Sequence, residues 1–282
     1  MSEKTEVMEK SVSGEGKVER WPALVGFWEP KLLTVIVDSV VAIADDGIIR
    51  LSPNEGLSIS VLELSKIAAI EVNIPKETFN PFRVEAEGSY PVDFKTLSSV
   101  ISRIKGDANV ELEFNENNLT VRSTGAYEKV YKVPLLKETL TETFKKPDLE
   151  FKAGIKLATV VPDGKRIKRD DSFAELVKDL LSVGASRVKV SIDTENAKFT
   201  AEGEKGTVEA EFTRFDPVVE DITCEEPSTS VYSLSFLSRM LEPMRMANSM
   251  MIEIATDKPM RLTYTIGAGN VISYYLAHEF VG

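Results

Sequence analysis

Apolar positions along the chain recur with two different periods. Short stretches place them at i, i+3, i+4 and i+7, which is typical of a helix with one buried face. Between these stretches, apolar and polar residues alternate with period two, which predicts strands with one face buried and the other exposed. The pattern therefore predicts an α+β fold dominated by antiparallel sheets.

The helical patterns occur twice at one fixed offset. Each apolar residue of two stripes in the first half has an apolar counterpart 140 positions further on. The first pair of stripes is Leu33, Ile36, Val37, Val40 and Val41 with Phe173, Leu176, Val177, Leu180 and Leu181. The second pair is Phe94, Leu97, Val100 and Ile101 with Leu234, Leu237, Met240 and Leu241. Any two amphipathic helices share one such match, but two matches at one offset indicate an internal repeat.

The alternating segments also fall into two groups. In the first half they are residues 56–65, 68–74, 108–114, 117–123 and 128–133; in the second half they are 186–193, 197–203, 207–212, 250–255, 260–266 and 272–277. Polar turn signals at 116–118 and 194–196 separate neighbouring strands. Each half is therefore predicted to be a sheet-dominated unit carrying two short helices.

The boundaries follow from changes in composition. Residues 1–20 are charged, contain glycine and have few large apolar groups, so we expect a disordered tail. Residues 134–150 show weak periodicity and include Pro134 and Pro147, which predicts a long connector crossing the surface. The two repeats then occupy residues 21–133 and 151–282.

Composition narrows the classes of function. The 34 basic and 45 acidic residues give a formal net charge of −11, so a nucleic acid would have to meet a local basic face. Cys224 is the one cysteine, which excludes an intramolecular disulfide and a cysteine-based zinc site. No apolar run is long enough to span a membrane, and the first 20 residues lack the apolar centre of a signal peptide. We expect a soluble intracellular protein, and the absence of glutamine favours a thermophilic source.

Four segments resemble one known family. They are the helix-and-turn segment 231–244, the strand pair 250–266, the chain end 272–280 and the connector exit 147–153. These segments resemble archaeal members of the proliferating cell nuclear antigen family, the DNA polymerase sliding clamps, and the resemblance extends over nearly the whole chain. It implies a DNA clamp fold that forms a ring of three subunits with two repeats each. Antiparallel sheets would lie outside, and two short helices per repeat would line the inner face.

The resemblance also implies partners and a location. Double-stranded DNA would pass through the ring, a clamp loader would place it there, and DNA polymerase, flap nuclease and ligase would dock through short peptides. The ring would be a homotrimer or a heterotrimer with related clamp subunits. Neither a cofactor nor a metal is implied, and the site of action would be the nucleoid in the cytoplasm of an archaeal cell.

Six basic residues are the DNA-facing candidates of this resemblance: Lys95, Arg103, Lys105, Lys178, Arg239 and Arg245. The helix predicted from Phe94 to Lys105 carries three of them and no acidic residue. Charged residues on a solvated helix face are the ordinary alternative for each one. A basic loop, Lys165 to Arg169, precedes the second-half helix; it either touches DNA at the edge of the ring or is simply exposed.

The family binds partner peptides in an apolar pocket beneath the connector. The corresponding residues are Leu62, Lys66, Ile67, Leu140, Phe144, Pro259, Tyr275, Leu276, Ala277 and Phe280. Ordinary core packing is the alternative for the apolar members of this set. His278, the only histidine, stands where the family commonly has proline, and we expect it at the surface.

An open strand edge in each half invites pairing with the next subunit. The resemblance implies that these edges lie near residues 126–133 and 206–212. The interface candidates there are Tyr127, Val130, Tyr131 and Val208.

Catalytic motifs are absent from the sequence: it contains no phosphate-binding loop, dinucleotide fingerprint or metalloprotease helix. The acidic pairs Asp45–Asp46 and Asp170–Asp171 adjoin turns, as solvated or capping residues do. We therefore expect a non-enzymatic sliding clamp that acts as a processivity factor. The alternatives are a two-repeat protein-binding scaffold and a specialised subunit that acts only within a mixed ring.

Overall fold

The computed structural model describes residues 22–104, 108–159, 172–267 and 269–280 of the 282-residue chain. The expected tail at 1–20, Lys105 and the basic loop Lys165 to Arg169 lie outside the described residues. Within the described ranges, no helix is long and apolar enough to cross a membrane.

The first half contains nine strands and two α-helices in its described part. They are β1 (Ala23–Phe27), α1 (Pro30–Val41), β2 (Asp46–Ser52), β3 (Gly56–Leu62), β4 (Ala68–Pro75), β5 (Phe82–Val84), β6 (Gly88–Asp93), α2 (Phe94–Ile101), β7 (Asn109–Phe114), β8 (Asn118–Thr124) and β9 (Glu128–Pro134). A short 3-10 helix, Lys76–Thr78, follows β4.

The described part of the second half repeats this order. It comprises β10 (Ala153–Ala158), α3 (Phe173–Ser182), β11 (Arg187–Ile192), β12 (Asn196–Gly203), β13 (Gly206–Thr213), β14 (Val219–Cys224), β15 (Ser228–Ser233), α4 (Leu234–Arg239), β16 (Ser249–Ile254), β17 (Met260–Ile266) and β18 (Asn270–Leu276). A 3-10 helix, Glu242–Arg245, follows α4. The prediction of a repeated α+β unit is confirmed.

Three antiparallel sheets organise these strands. One sheet has the order β5-β1-β7-β8-β9 and belongs to the first half, and another has the order β13-β12-β11-β15 and belongs to the second. The third has nine strands in the order β14-β10-β16-β17-β18-β4-β3-β2-β6. In this sheet, β18 pairs with β4, so the last strand of the second half joins the two repeats into one structure.

The helices bury the apolar stripes found in the sequence. In α2 the buried residues are Phe94, Leu97 and Ile101, and in α3 they are Phe173, Val177 and Leu180. The helix α1 buries seven residues, because it packs against α2 and also against the 3-10 helix Glu242–Arg245 of the second half. The helix α3 packs against α4 within its own half, which leaves Leu181 partly exposed.

Both helices of the second stripe end earlier than predicted. The helix α2 ends at Ile101, where the hydroxyl of Ser102 bonds the carbonyl oxygen of Ser99 at 2.9 Å and competes with the helical pattern. Arg103 therefore lies in the turn after the helix. The helix α4 ends at Arg239 because Pro243 cannot donate a backbone hydrogen bond, and Arg245 lies on the 3-10 helix instead.

The predicted turns use one device in both halves. Between β7 and β8, the side-chain oxygen of Asn115 accepts from the backbone amide of Asn118 at 2.9 Å. Between β11 and β12, Asp193 accepts from the amide of Asn196 at 3.0 Å. These side chains imitate a backbone turn and fix the register of the strands that follow.

Candidate functional site

The connector is fixed to the first half by one buried carboxylate. Asp46, at the start of β2, is 8% exposed. Its oxygens accept hydrogen bonds from the backbone amides of Leu140 at 2.8 Å and Thr141 at 3.1 Å, and from the hydroxyl of Thr141 at 2.7 Å. The expectation that Asp45 and Asp46 are both solvated or capping residues is wrong for Asp46, because three donors of the connector satisfy its buried carboxylate.

Beyond this anchor, the connector runs beside β3. The amide of Leu62 donates to the carbonyl oxygen of Glu142 at 2.8 Å, and the hydroxyl of Ser60 donates to the carbonyl oxygen of Phe144 at 2.8 Å. The side chain of Glu142 also accepts from the ammonium group of Lys66 at 3.0 Å. The connector is therefore held along its length by both backbone and side-chain contacts.

Three separated segments meet at this place. The ring of Phe144, from the connector, lies 4.7 Å from the ring of Tyr275 in β18. The amide of Ala277, in the chain end, donates to the carbonyl oxygen of Ile67 at 2.8 Å. The turn between β3 and β4, the connector and the chain end thus form one surface, which we call the connector pocket.

Tyr275 is the polar centre of the connector pocket. Its hydroxyl donates to the carboxylate of Glu71 at 2.9 Å. Burial, together with this bond, raises the pKa of Tyr275 to about 12, and the nearby Arg261 opposes the rise. The phenol is therefore neutral at physiological pH and positions its ring under Phe144.

Exposed apolar side chains surround the connector pocket. Leu140 and Phe280 are more than 80% exposed, and Leu64 and Ile67 are also exposed. Leu64 was not among the predicted residues; its signal in the sequence is a lone leucine between the polar turn residues Glu63 and Ser65. The turn is tight, since Lys66 has a φ of 61°. Exposed apolar groups that are gathered on one surface, unlike scattered single ones, are typical of interaction sites.

The remaining predicted pocket residues differ in accessibility. Leu276 is fully buried, so its side chain belongs to the core rather than to an accessible surface. Pro259 is half-buried in the turn before β17. His278 is also half-buried, contrary to the expected surface position, because its backbone forms a bridge with Tyr232 and its ring lies 4.6 Å from that of Phe280.

Ion pairs already occupy three of the basic residues predicted to face DNA. Lys95 lies 3.4 Å from Asp45, and Lys178 lies 2.8 Å from Glu175. Arg245 lies 2.9 Å from Asp38, which belongs to α1. Exposed pairs of this kind contribute little energy, about 0–1 kcal/mol, so a phosphate can compete for these cations.

Arg103 and Arg239 differ from these three, since neither forms an ion pair with any residue in the described ranges. Arg103 is exposed in the turn after α2. The guanidinium group of Arg239 lies 4.3 Å above the ring of Phe236, a contact that leaves the charge accessible. These two residues are the freest cations among the described helix candidates.

The two predicted strand edges exist. The strand β9 ends the five-stranded sheet and β13 ends the four-stranded sheet, so each has one unpaired side within the chain. Tyr131 and Val208 are partly buried against the chain's own core. Tyr127 and Val130 are exposed, and so is Phe215, which follows β13 and was not predicted. Its signal in the sequence is an isolated aromatic residue between Arg214 and Asp216.

The comparisons with known proteins agree with this architecture. A family model described as "Proliferating cell nuclear antigen, C-terminal domain" matches residues 146–279. The DNA polymerase sliding clamp 1 of Pyrobaculum aerophilum is 28% identical over 88% of this chain and 95% of its own length. The DNA polymerase sliding clamp 1 of Aeropyrum pernix is 29% identical over 89% of this chain and 97% of its own length.

A solved structure shares the fold. It is the PCNA2-PCNA3 complex of Sulfolobus tokodaii, in which one chain is matched with a TM-score of 0.80 at 19% identity, over 91% of this chain and 99% of that chain. The fold is thus that of the DNA clamps. The sequence matches show that the chain is similar to the sliding clamps of the proliferating cell nuclear antigen family over most of its length.

Proposed function

We propose that this protein is a DNA sliding clamp, a ring-forming and non-enzymatic processivity factor that encircles duplex DNA. The observation that carries the proposal is the junction of β18 with β4, which joins two repeats and leaves the equivalent strands β9 and β13 open. The relatives' name, DNA polymerase sliding clamp, supports the same function. Such a protein acts at the nucleoid, in the cytoplasm of an archaeal cell, and needs no cofactor.

The repeat explains how copies would join. The strand β4 follows β3 as β13 follows β12, and β18 follows β17 as β9 follows β8. The open strand β9 of one subunit can therefore pair with the open strand β13 of the next, in the geometry that β18 and β4 show within the chain. Three subunits then provide six similar junctions, and the ring closes with every β9 and β13 edge paired.

The register within the chain predicts the register between subunits. Tyr274 lies opposite Ile70 in the internal junction. The hairpin registers make Tyr131 equivalent to Tyr274 and Val208 equivalent to Ile70. Tyr131 of one subunit would thus lie opposite Val208 of its neighbour, which supports both residues as interface candidates.

The inner wall would contact DNA through the helices. Arg103 and Arg239 offer accessible charges, and Lys95, Lys178 and Arg245 would exchange carboxylate partners for phosphates. Contacts with phosphate oxygens carry no sequence information, so the ring can slide. Acidic residues such as Asp38 and Asp179 keep the wall only weakly basic, which suits a ring that is retained by topology rather than by tight binding.

The connector pocket would hold partner enzymes. An extended peptide can pair with exposed backbone and place an aromatic or aliphatic side chain among Leu64, Ile67, Leu140 and Phe280. DNA polymerase, flap nuclease and ligase are the proposed partners, and a clamp loader would open the ring at a β9–β13 junction. Binding energy at this pocket tethers an enzyme to DNA without restraining the movement of the ring.

Two measurements test this function. Light scattering after size exclusion should give three times the 31.2 kDa chain mass, and primer extension on circular single-stranded DNA should become more processive when a related clamp loader is present. A protein that stays monomeric, alone and with related subunits, and fails to stimulate synthesis would act only as a protein-binding scaffold.

One observation favours the alternative of a mixed ring. The same register places Glu128 of one copy opposite Glu211 of the next, and like charges facing each other across a junction are unfavourable. An ion pair between Glu128 and Arg122 of its own chain, at 2.6 Å, reduces this repulsion. A related subunit with a basic residue in place of either glutamate would join more tightly than a second copy.

A further inference from the structure

Two exposed aromatic side chains lie beside the open strand edges. Phe215 is 86% exposed and Tyr127 is 69% exposed. Tyr127 immediately precedes β9, and Phe215 lies two positions after the end of β13. Isolated exposed apolar residues are common on protein surfaces, so exposure alone does not define a site. Tyr127 and Phe215 are of interest together because they lie at the two strand edges that would meet between subunits.

The turn that carries Phe215 is held in one conformation. The amide of Thr213 donates to the carboxylate of Asp216 at 2.6 Å, and the amide of Asp216 donates back to the carbonyl oxygen of Thr213 at 3.0 Å. Arg214 braces the turn by donating to the carbonyl oxygens of Thr194 and Ile222 at 2.9 and 2.8 Å. The phenyl ring is thus presented to solvent by an ordered backbone, and ordering it in a complex costs little entropy.

The internal junction shows what meets at such a place. Asn270 immediately precedes the first residue of β18 that pairs with β4, and its side-chain oxygen accepts from the hydroxyl of Thr78 at 2.7 Å. Thr78 lies in the segment after β4, and Pro75, the last residue of β4, lies close to Gly269. Residues at the start of β18 therefore contact the segment that follows β4.

The equivalent groups between subunits are Tyr127 and the turn at Phe215. The hairpin registers make Tyr127 equivalent to Asn270, and the segment after β13 equivalent to the segment after β4. We propose that Phe215 of one subunit packs against Tyr127 of a second copy of this chain and anchors the end of the subunit junction. This inference rests on the proposed ring and adds to it an aromatic contact in place of the internal hydrogen bond.

Buried aromatic pairs are frequent anchors of protein interfaces, and the loss of such an anchor commonly weakens binding by about tenfold or more. Two surface substitutions are therefore matched: Phe215→Ala at the junction and Phe280→Ala in the chain end, where the side chain is similarly exposed at 83%. Neither change removes a buried group, so both variants should unfold at the same temperature as the wild type.

Sedimentation equilibrium of the full chain over a wide concentration range tests the contact. We expect Phe215→Ala and Tyr127→Ala each to shift ring dissociation to about tenfold higher concentration or more, the double variant to add little, and Phe280→Ala to match the wild type. A wild-type ring that Phe215→Ala leaves unchanged overturns this contact alone. A wild type that is monomeric at every concentration overturns the self-assembled ring and the contact together.

Cross-linking provides a second, direct readout. In a Cys224→Ser background, a chain with Phe215→Cys is mixed with a chain carrying Tyr127→Cys and treated with a short bismaleimide. We expect a covalent dimer from this mixture and none when Phe280→Cys replaces Phe215→Cys. Equal yields from the two mixtures would contradict the proposed contact.

Discussion

The buried carboxylate of Asp46 should control the attachment of the connector. Substitution of Asp46 by Asn preserves the size of the side chain but replaces one carboxylate oxygen with an amide group. That group would face the backbone N–H of Leu140 or Thr141, which now donate to the carboxylate at 2.8 and 3.1 Å. The variant therefore loses at least one hydrogen bond and weakens the others.

The magnitude follows from the number and kind of bonds. Hydrogen bonds to charged groups contribute about 1.5–3 kcal/mol each, and neutral ones about 0.5–1.5 kcal/mol. Weakening three bonds, without assuming that they add fully, costs the attached state about 2–3 kcal/mol. Since 1.4 kcal/mol corresponds to a factor of ten, the detached population of the connector should rise about 30- to 150-fold.

Hydrogen exchange measures this population residue by residue. In Asp46→Asn, the amides of Leu140, Thr141 and Leu62 should exchange faster by the same factor, because all three depend on the attached connector. Asp45→Asn is the matched control: Asp45 is adjacent but exposed, and its side chain pairs with Lys95 alone among the described residues. If protection of these amides were the same in both variants, the role given to Asp46 would be refuted.

Three further outcomes can be measured. The pKa of Tyr275 is raised to about 12 in the folded protein, so its neutral phenol stabilises the fold fully below pH 10 and progressively less up to pH 12. Over that range, urea titrations should show that the free energy of unfolding falls by about 2–3 kcal/mol more in the wild type than in Tyr275→Phe. Equal losses in the two proteins would contradict this. Arg239→Ala should reduce the slope of log binding constant against log salt concentration by up to about 2.7, because a ring would lose three phosphate contacts. Lys178→Ala should reduce this slope less, because the ammonium group of Lys178 is already paired. Equal slopes for the two variants would argue against a free Arg239. Glu211→Lys should tighten self-association about two- to fivefold by facing Glu128, and weaker association would show that the register is wrong.

Local features of the fold could be predicted from the sequence because they depend on near neighbours. The helical stripes and the alternating strands follow from side-chain periodicity, and the turns at Asn115 and Asp193 follow from their short polar side chains. The repeat strengthened each assignment, since a pattern seen twice is unlikely to arise by chance. The shortness of α4 could also have been predicted from Pro243.

Long-range features could not be predicted in the same way. The sequence does not distinguish Asp46 from its exposed neighbour Asp45. Asp46 becomes a buried acceptor because the connector, nearly 100 positions away, covers it. The ion pairs of Lys95 with Asp45 and of Arg245 with Asp38 join residues far apart in the sequence, so they depend on how the elements pack. From the sequence, Phe215 is an ordinary loop residue. Its proposed role depends on the internal junction of β18 with β4, which indicates what would lie beside the end of β13.

Retention on DNA tests the central claim most directly. The protein is loaded onto nicked circular DNA by a related clamp loader, washed at high salt, and the DNA is then cut once with a restriction enzyme. The protein should stay on the closed circle and leave after linearisation, because topology rather than local affinity holds it. Release from circular and linear DNA at the same rate would contradict a ring that encircles the duplex.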